Sequence, residues 1–196
     1  WGGYTYTTCA AWGDADNDGL ADLWQCRIYN AGRATPSQLY RNRGDTTFVN
    51  ATATLSRPAL PSSQRAAWLD ADRDGRLDLL ATFDSGYVGV VPLNACRPIL
   101  YRNRVDAGAS LSVKLEGRSP NTDALGAVLT LWAAGRAQWR HIGDGAFSGG
   151  AAPPLEQHFG LGGAAACDSL VVWWPDGTRQ VWRDLAAGRR HVLRRE

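Results

Sequence analysis

Short runs of apolar or alternating apolar and polar residues recur in the C-terminal half of the chain. Turns rich in glycine or proline separate most of these runs. Alternation at period two is typical of a strand with one buried face, and seven short strands at this spacing favour a β-sandwich over residues 105–196. The seven runs lie at residues 111–115, 127–132, 138–142, 157–159, 170–174, 180–182 and 191–193.

The N-terminal half, residues 1–104, uses one pattern of polar and apolar positions twice. In each copy an aromatic residue precedes a group of acids, apolar residues follow, and the sequence Leu-Tyr-Arg-Asn comes later. Each copy predicts a strand, an acidic loop, a strand, an irregular segment and a third strand, and the first copy adds a fourth. This is about the content of one propeller blade. We predict an all-β protein with blade-like repeats at about 4–55 and 60–104, followed by the sandwich.

The two acidic loops, residues 14–22 and 70–78, both read D-x-D-x-D-G-x-x-D. Alternate carboxylates, a glycine at the sharp turn and a final carboxylate form an oxygen cage for a hard cation. Six or more oxygen ligands suit Ca²⁺ better than Mg²⁺, which keeps several waters. The predicted ligands are the side chains of Asp14, Asp16, Asp18 and Asp22 with the carbonyl of Leu20, and the side chains of Asp70, Asp72, Asp74 and Asp78 with the carbonyl of Arg76.

The alternative interpretation of these loops is a pair of acidic surface turns that bind no ion. It is disfavoured because the same template recurs at similar flanks, and because four neighbouring carboxylates repel one another unless a cation or protons offset their charge. The loops are shorter than an EF-hand loop, end in Asp rather than Glu and have strand-like flanks. We therefore predict two calcium sites that do not belong to EF-hands.

Composition and charge disfavour two classes of protein, nucleic-acid-binding proteins and membrane-spanning proteins. The 196 residues carry a formal net charge of +2, and Lys114 is the single lysine among 21 basic residues. No basic stripe interleaved with aromatics predicts nucleic-acid binding, and no stretch approaches the ~18 apolar residues that span a bilayer. The chain begins at Trp1 and contains no methionine, so we expect a processed chain.

Four cysteines allow three pairings. Cys9 and Cys26 flank the first acidic loop almost symmetrically, so an antiparallel hairpin places them opposite each other. Cys96 and Cys167 would then pair and connect the two regions. Disulfides and weak calcium sites are typical of proteins outside the cytosol. We expect a secreted or cell-surface protein, with the periplasm as the alternative.

The repeats resemble the FG-GAP or VCBS repeats of integrin α-subunits and bacterial surface proteins. The resemblance covers roughly residues 4–104 and rests on the acidic loops, the preceding Trp and the Leu-Tyr-Arg-Asn element. It implies propeller blades that bind calcium through the Asp residues named above. The chain departs from this family in number, because it has two such repeats where a propeller has four to eight blades.

The second region resembles the ASPIC/UnbV domain, which follows FG-GAP repeats in secreted proteins related to cartilage acidic protein. The matching segments are residues 121–127, 157–162 and 172–177. The resemblance implies little about activity, because that family is defined by sequence better than by chemistry.

Aromatic residues and histidines add three local predictions. Trp12 and Trp68 hold equivalent repeat positions and should pack between the repeats. Trp173 and Trp174 are adjacent on a strand, so one should face inward and the other outward. His158 lies beside an apolar residue on a strand, which favours a packed, hydrogen-bonded histidine over a catalytic one. No motif assigns a catalytic residue.

These observations together predict an extracellular calcium-binding structural or adhesive protein. Its surface would contact other proteins, copies of itself, or glycans. Two blades leave sheet edges unpaired; we expect the sandwich to cover one edge and another chain the other, which makes self-assembly into an oligomer or polymer a hypothesis. The alternatives are a secreted enzyme that uses calcium as a Lewis acid or substrate anchor and a glycan-binding module.

Overall fold

The computed structural model of the chain describes residues 6–28, 36–54, 63, 65–82, 98–143 and 154–196. Within these ranges the structure is almost entirely β, with one short 3-10 helix at Thr52–Thr54 and no α-helix. The predicted all-β class is confirmed. No helix in the described ranges has the length and apolar character needed to cross a bilayer.

The first repeat forms an antiparallel four-stranded sheet in the order β1-β2-β3-β4. Alternate residues of its first two strands are buried, among them Cys9, Ala11, Trp24 and Cys26, as period-two alternation predicts. The four predicted strands are all present. They are β1 (Tyr6–Gly13), β2 (Asp22–Ile28), β3 (Gln38–Asn42) and β4 (Phe48–Asn50).

The second repeat forms an antiparallel sheet of three strands, β5 (Arg65–Leu69), β6 (Asp78–Thr82) and β7 (Ile99–Tyr101). Its first strand packs against β1, and one apolar cluster contains buried residues of both sheets. The repeat boundaries predicted near residues 55 and 60 lie outside the described residues, and the one near 104 stays a prediction.

The predicted disulfide between Cys9 and Cys26 is confirmed. The two residues lie opposite each other in the β1–β2 register, with their Cα atoms 4.9 Å apart. Cys167 is buried and has a free thiol. Its predicted partner, Cys96, lies outside the described residues, so that pairing stays a prediction.

The C-terminal region is a sandwich of two sheets, and all seven predicted strands are present. One sheet has the order β10-β9-β12-β13 and is antiparallel; the other has the order β11-β8-β14, in which β14 runs parallel to β8. The strands are β8 (Ala109–Glu116), β9 (Val128–Ala133), β10 (Arg136–His141), β11 (Gln157–Gly162), β12 (Ser169–Trp173), β13 (Arg179–Arg183) and β14 (Arg190–Arg194).

The core of the sandwich lies between these sheets. Each sheet contributes every second residue, so the inner faces are apolar and close-packed. The largest fully buried contributors from the strands are Phe159, Leu111, Leu115 and Val113 from one sheet and Leu129, Leu131, Leu170 and Val172 from the other.

The two repeat tryptophans differ in environment. Trp68 lies between the first two sheets, where its Nε1 donates to the Ala11 carbonyl at 3.1 Å and its ring covers Gly13. Trp12 is 57% exposed and contacts Phe48 of its own sheet. The prediction that both pack between the repeats is therefore wrong for Trp12. The two sheets stack in one direction, so equivalent positions have different neighbours. In the second repeat Trp68 faces the first sheet, whereas in the first repeat Trp12 faces away from the second sheet.

Candidate metal centre

Backbone amides shape the first acidic loop, which connects β1 to β2. The Asp14 carboxylate accepts hydrogen bonds from the backbone N–H of Asp18 at 3.1 Å and of Gly19 at 2.8 Å, and Asp18 Oδ1 accepts one from Leu20 at 2.8 Å. The tip turns through positive φ angles at Asn17 (59°) and Gly19 (87°). A glycine and an asparagine adopt such angles more readily than other residues do.

The second loop, between β5 and β6, repeats this geometry. Asp70 accepts from the backbone N–H of Asp74 at 3.1 Å and of Gly75 at 3.0 Å, and Asp74 Oδ1 accepts from that of Arg76 at 2.9 Å. The positive φ angles fall at Arg73 (61°) and Gly75 (82°), the equivalent positions. Both copies of the motif therefore encode the same backbone path.

Each loop gathers three carboxylates whose oxygen atoms lie within 4.8 Å of one another. The two groups are Asp14, Asp16 and Asp18, and Asp70, Asp72 and Asp74. Either group could hold a metal ion, because several carboxylate oxygens at this separation surround a space of cation size. The remaining predicted ligands, the carbonyl oxygens of Leu20 and Arg76, stay predictions.

The fourth carboxylate of each motif closes the loop. Asp22 accepts from the backbone N–H of Ala15 at 3.0 Å and of Asn42 at 2.9 Å. Asp78 accepts in the same way from Ala71 at 3.3 Å and Asn103 at 2.8 Å. Each carboxylate thus ties the start of its loop to a later strand or segment, and its role as a metal ligand stays a prediction.

The Arg-Asn pair of the Leu-Tyr-Arg-Asn element belongs to the site, a role that the sequence pattern alone did not indicate. Arg41 forms an ion pair with Asp16, and Arg102 forms the equivalent pair with Asp72 at 2.8 Å. The following asparagine, besides its backbone bond to the fourth carboxylate, donates from Nδ2 to the carbonyl of Ala21 in the first copy and of Leu77 in the second, both at 3.1 Å. The repetition of this element with each acidic loop was the available signal.

Burial changes the electrostatics of the first loop. It raises the pKa of Asp14 to about 7, and the charges of Asp18 and Asp22 add to this effect, while the Gly19 N–H and the Arg140 guanidinium oppose it. Burial also raises the pKa of Asp22. The protein environment alone therefore disfavours the full negative charge of this loop, and a bound cation would offset that penalty.

Asp16 carries the one carboxylate oxygen of either loop that is both buried and without a partner in the described structure. Its side chain is 10% exposed, Oδ2 pairs with Arg41, and Oδ1 has no hydrogen-bond partner. A buried, unpaired carboxylate oxygen is costly. Asp16 belongs to the group formed with Asp14 and Asp18, so a metal ion coordinated through Oδ1 would satisfy this oxygen.

Asn17, at the tip of the first loop, connects three parts of the molecule. Its Nδ2 donates to the carbonyl of Gly75 in the second loop at 2.9 Å and to that of Gly108 at 3.0 Å. Its Oδ1 lies 2.7 Å from Nε2 of His158 on β11. Because the amide nitrogen serves two acceptors, Oδ1 must accept, and His158 Nε2 carries the proton.

Backbone contacts extend this junction between the first loop and the sandwich. The Gly108 N–H donates to the Asp16 carbonyl at 2.9 Å, and the Gly162 N–H donates to the Asn17 carbonyl at 2.7 Å. At Gly160 a Cβ atom would lie 2.0 Å from Asp14 Oδ2. The first loop therefore packs directly against the strand β11, and a glycine is required for that approach.

His158 is packed and hydrogen-bonded, as the sequence predicts. Burial lowers its pKa to about 4, and the charge of Arg140 contributes. The guanidinium of Arg140 lies 4.9 Å from the centre of the Phe159 ring and donates through Nε to the His158 carbonyl at 3.2 Å. A neutral imidazole beside a buried arginine serves to hold Asn17 in place.

Comparison with protein families agrees with this arrangement. The model of the FG-GAP-like repeat matches residues 28–81, which include the second loop and the first Leu-Tyr-Arg-Asn element. The model described as ASPIC and UnbV matches residues 117–196, which span β9 to β14. No curated protein matches the chain significantly.

Proposed function

Because this chain is an FG-GAP repeat protein with an ASPIC/UnbV domain, we propose that it is an extracellular structural protein that two calcium ions rigidify. The observation that carries the proposal is Asp16, whose carboxylate lies close to those of Asp14 and Asp18 and whose buried Oδ1 has no hydrogen-bond partner among the described residues. An ion at this position satisfies that oxygen and offsets the mutual repulsion of the loop. The equivalent backbone geometry of the second loop supports a second site.

The ligands in this proposal are the ten residues assigned from the sequence. In each loop the three clustered carboxylates, the carbonyl of Leu20 or Arg76, and the fourth carboxylate surround the ion. The fourth carboxylate accepts one hydrogen bond on each oxygen, and each oxygen retains a lone pair for a metal. The ion-paired arginines leave the opposite carboxylate oxygens available.

An extracellular setting is part of the same proposal. The Cys9–Cys26 disulfide is compatible with that location, because disulfides persist in oxidising compartments. The bond closes the hairpin that carries the first loop, so it limits the ways in which that loop can splay when calcium is scarce.

The adhesive part of the proposal rests on the free edge of the first sheet. Within the described residues no strand pairs with the outer edge of β4, whose three residues are all exposed. An unpaired edge is a template for another chain, so we propose contact with a protein partner or a second copy there. Sedimentation with calcium and with chelator tests this part; a monodisperse monomer in both conditions removes it.

Calorimetry with matched variants tests the calcium sites. We expect titration of calcium into the chelator-treated protein to reveal two sites, and the melting temperature to rise on binding. Asp16→Asn should remove or weaken one site and Asp72→Asn the other, and magnesium should bind more weakly than calcium in both loops. Absence of binding heat together with an unchanged melting temperature would refute the proposal.

A further inference from the structure

The outer face of the four-stranded sheet of the sandwich carries three tryptophans. Strand register aligns its outward residues in three rows across β10, β9, β12 and β13. We call this surface the tryptophan face. It consists of Ala137, Trp139, His141, Val128, Thr130, Trp132, Ser169, Val171, Trp173, Arg179, Val181 and Arg183.

Large apolar side chains on this face are open to solvent. Trp139 is 73% exposed, Trp173 48%, Trp132 46% and Val181 39%. The adjacent Trp174 is buried in the core at 3% exposure, so the predicted division between Trp173 and its neighbour is confirmed. Exposed apolar patches mark binding surfaces, and indole rings combine a flat apolar face with a polar N–H.

The charged residues of the tryptophan face are both arginines, so the face is positively charged. Arg179 places its guanidinium 5.8 Å from the centre of the Trp173 ring, and Arg183 lies four residues further along the same strand, β13. None of the twelve residues is Asp or Glu. A ligand that complements this surface must offer flat apolar groups beside anionic ones.

The size of the face discriminates between classes of ligand. Four strands spaced ~4.8 Å apart and five residues long at ~3.4 Å each span about 300 Å². A stable protein–protein interface buries about 800 Å² on each partner, so this face alone is too small for one. It matches the footprint of a short oligosaccharide. Two copies placed face to face would also bring arginine against arginine without any acid between them.

We propose that the tryptophan face binds an acidic polysaccharide. The C–H faces of the pyranose rings stack on Trp132, Trp139 and Trp173, because the negative face of an aromatic ring attracts polarised C–H groups. Arg179 and Arg183 donate charge-assisted hydrogen bonds to the carboxylate or sulfate groups of the chain. The face lies on the sandwich and contains no residue of the acidic loops, so this proposal stands apart from calcium binding.

Titration calorimetry with defined oligosaccharides tests the proposal in the calcium-saturated protein. The probes are an oligogalacturonate, which carries carboxylates, a heparin-derived oligosaccharide, which carries sulfates, and a neutral cello-oligosaccharide of equal length. We expect at least one acidic probe to bind at least tenfold more tightly than the neutral one. The acidic probe that binds more tightly identifies the anionic group. Equal or stronger binding of the neutral probe, or no binding of any probe, overturns the proposal.

Variants place the binding site on this face. Trp139→Ala should lower the affinity at least tenfold, and Arg183→Gln should reduce the preference for the acidic probe. Trp12→Ala is the matched control, because Trp12 is 57% exposed on β1, outside this sheet, and it should leave binding unchanged. Circular dichroism confirms that each variant is folded. Unaltered affinity in Trp139→Ala, or a loss of self-association in place of a loss of sugar binding, contradicts the proposal.

Discussion

The two acidic loops have the same sequence motif and backbone hydrogen bonds, and they differ in what covers them. The first lies against the sandwich, with Asp14 and Asn17 at 1% and 2% exposure. In the second loop, Asp72, Arg73 and Asp74 are exposed. The comparison separates the local role of the motif, which both loops share, from a connecting role that is more extensive in the first. The second loop reaches the sandwich through the Gly75 carbonyl, which accepts from Ser110 Oγ at 2.6 Å, whereas the tip of the first loop contacts both Gly108 and β11.

This difference gives calcium two distinct effects in our proposal. In the second loop an ion would neutralise carboxylates that water already screens, so it should stabilise mainly the turn itself. In the first loop the ion would neutralise buried charge beside the residues that join the repeats to the sandwich. We therefore expect the first loop to link calcium binding to the relative packing of the two regions.

The largest expected difference is between the variants Asp14→Ala and Asp70→Ala. Each removes the acceptor for two backbone N–H groups. In the first loop those groups are half-buried around a carboxylate that is 1% exposed, and each unsatisfied group costs about 1–3 kcal/mol, so we expect a loss of about 4 kcal/mol. In the second loop water replaces the carboxylate, and we expect about 1 kcal/mol.

Urea unfolding of both variants in saturating calcium measures this difference. The free energies of unfolding should differ between the variants while their m-values stay equal. Equal losses in the two loops would show that burial under the sandwich does not distinguish them.

A substitution on β11 of the sandwich tests the contact between that strand and the first loop. In Gly160→Ala the new Cβ would lie 2.0 Å from Asp14 Oδ2 and 2.6 Å from the backbone of Asn17. Since backbone must move, we expect about 3 kcal/mol of destabilisation. The control is Gly163→Ala, where no atom lies within 4 Å of the added Cβ. Thermal unfolding should show a lower melting temperature for the first variant alone; a tolerated Gly160→Ala would contradict the close approach.

The strands and the loops could be predicted from sequence because their signals are local. Period-two alternation located the seven sandwich strands. The five motif positions that recur in both loops, four Asp and one Gly, predicted the clustered carboxylates. The sequence also placed Cys9 opposite Cys26, because a hairpin fixes that register.

The junction could not be predicted, because its partners are far apart along the chain. Asn17 occupies a variable position of the motif, where the second loop has Arg73, and both residues adopt the same positive φ. What gives Asn17 its role is the presence of Gly108 and His158, which lie 91 and 141 positions away. The prediction that Trp12 packs between the repeats was wrong for a related reason. The environment of Trp12 depends on the stacking direction of the sheets, which local sequence does not specify.

The pair Asn17→Ala and Arg73→Ala isolates this connecting role. Alanine is equally strained at both positions, because φ is 59° and 61°, so the backbone contribution cancels in the comparison. Asn17→Ala additionally loses three partly buried hydrogen bonds, to Gly75, Gly108 and His158, and we expect about 2 kcal/mol more destabilisation than in Arg73→Ala. Calorimetric unfolding in calcium measures the difference, and indistinguishable melting temperatures would argue against Asn17 as the connection.

The smallest expected effect is a pH dependence that passes through His158. Its folded-state pKa of about 4 lies below the ordinary value of 6.5, so the unfolded chain binds a proton in this interval that the folded protein does not. Stability therefore falls as pH decreases from 6.5 towards 4, and at pH 5.5 the loss is about 1 kcal/mol. The unfolding measurements should be made in saturating calcium. Without the ion, the raised pKa of Asp14 would increase stability as pH falls and would oppose the effect of His158.

The variant His158→Gln assigns this pH dependence to its source. A glutamine amide has no proton to gain in this range and can still donate to Asn17 Oδ1. We expect the difference in unfolding free energy between pH 7 and pH 5.5 to be about 1 kcal/mol smaller in the variant than in the original chain. If the two proteins lose stability in parallel, the imidazole is not buried as the structure has it, and the first loop is then no more tightly enclosed than the second.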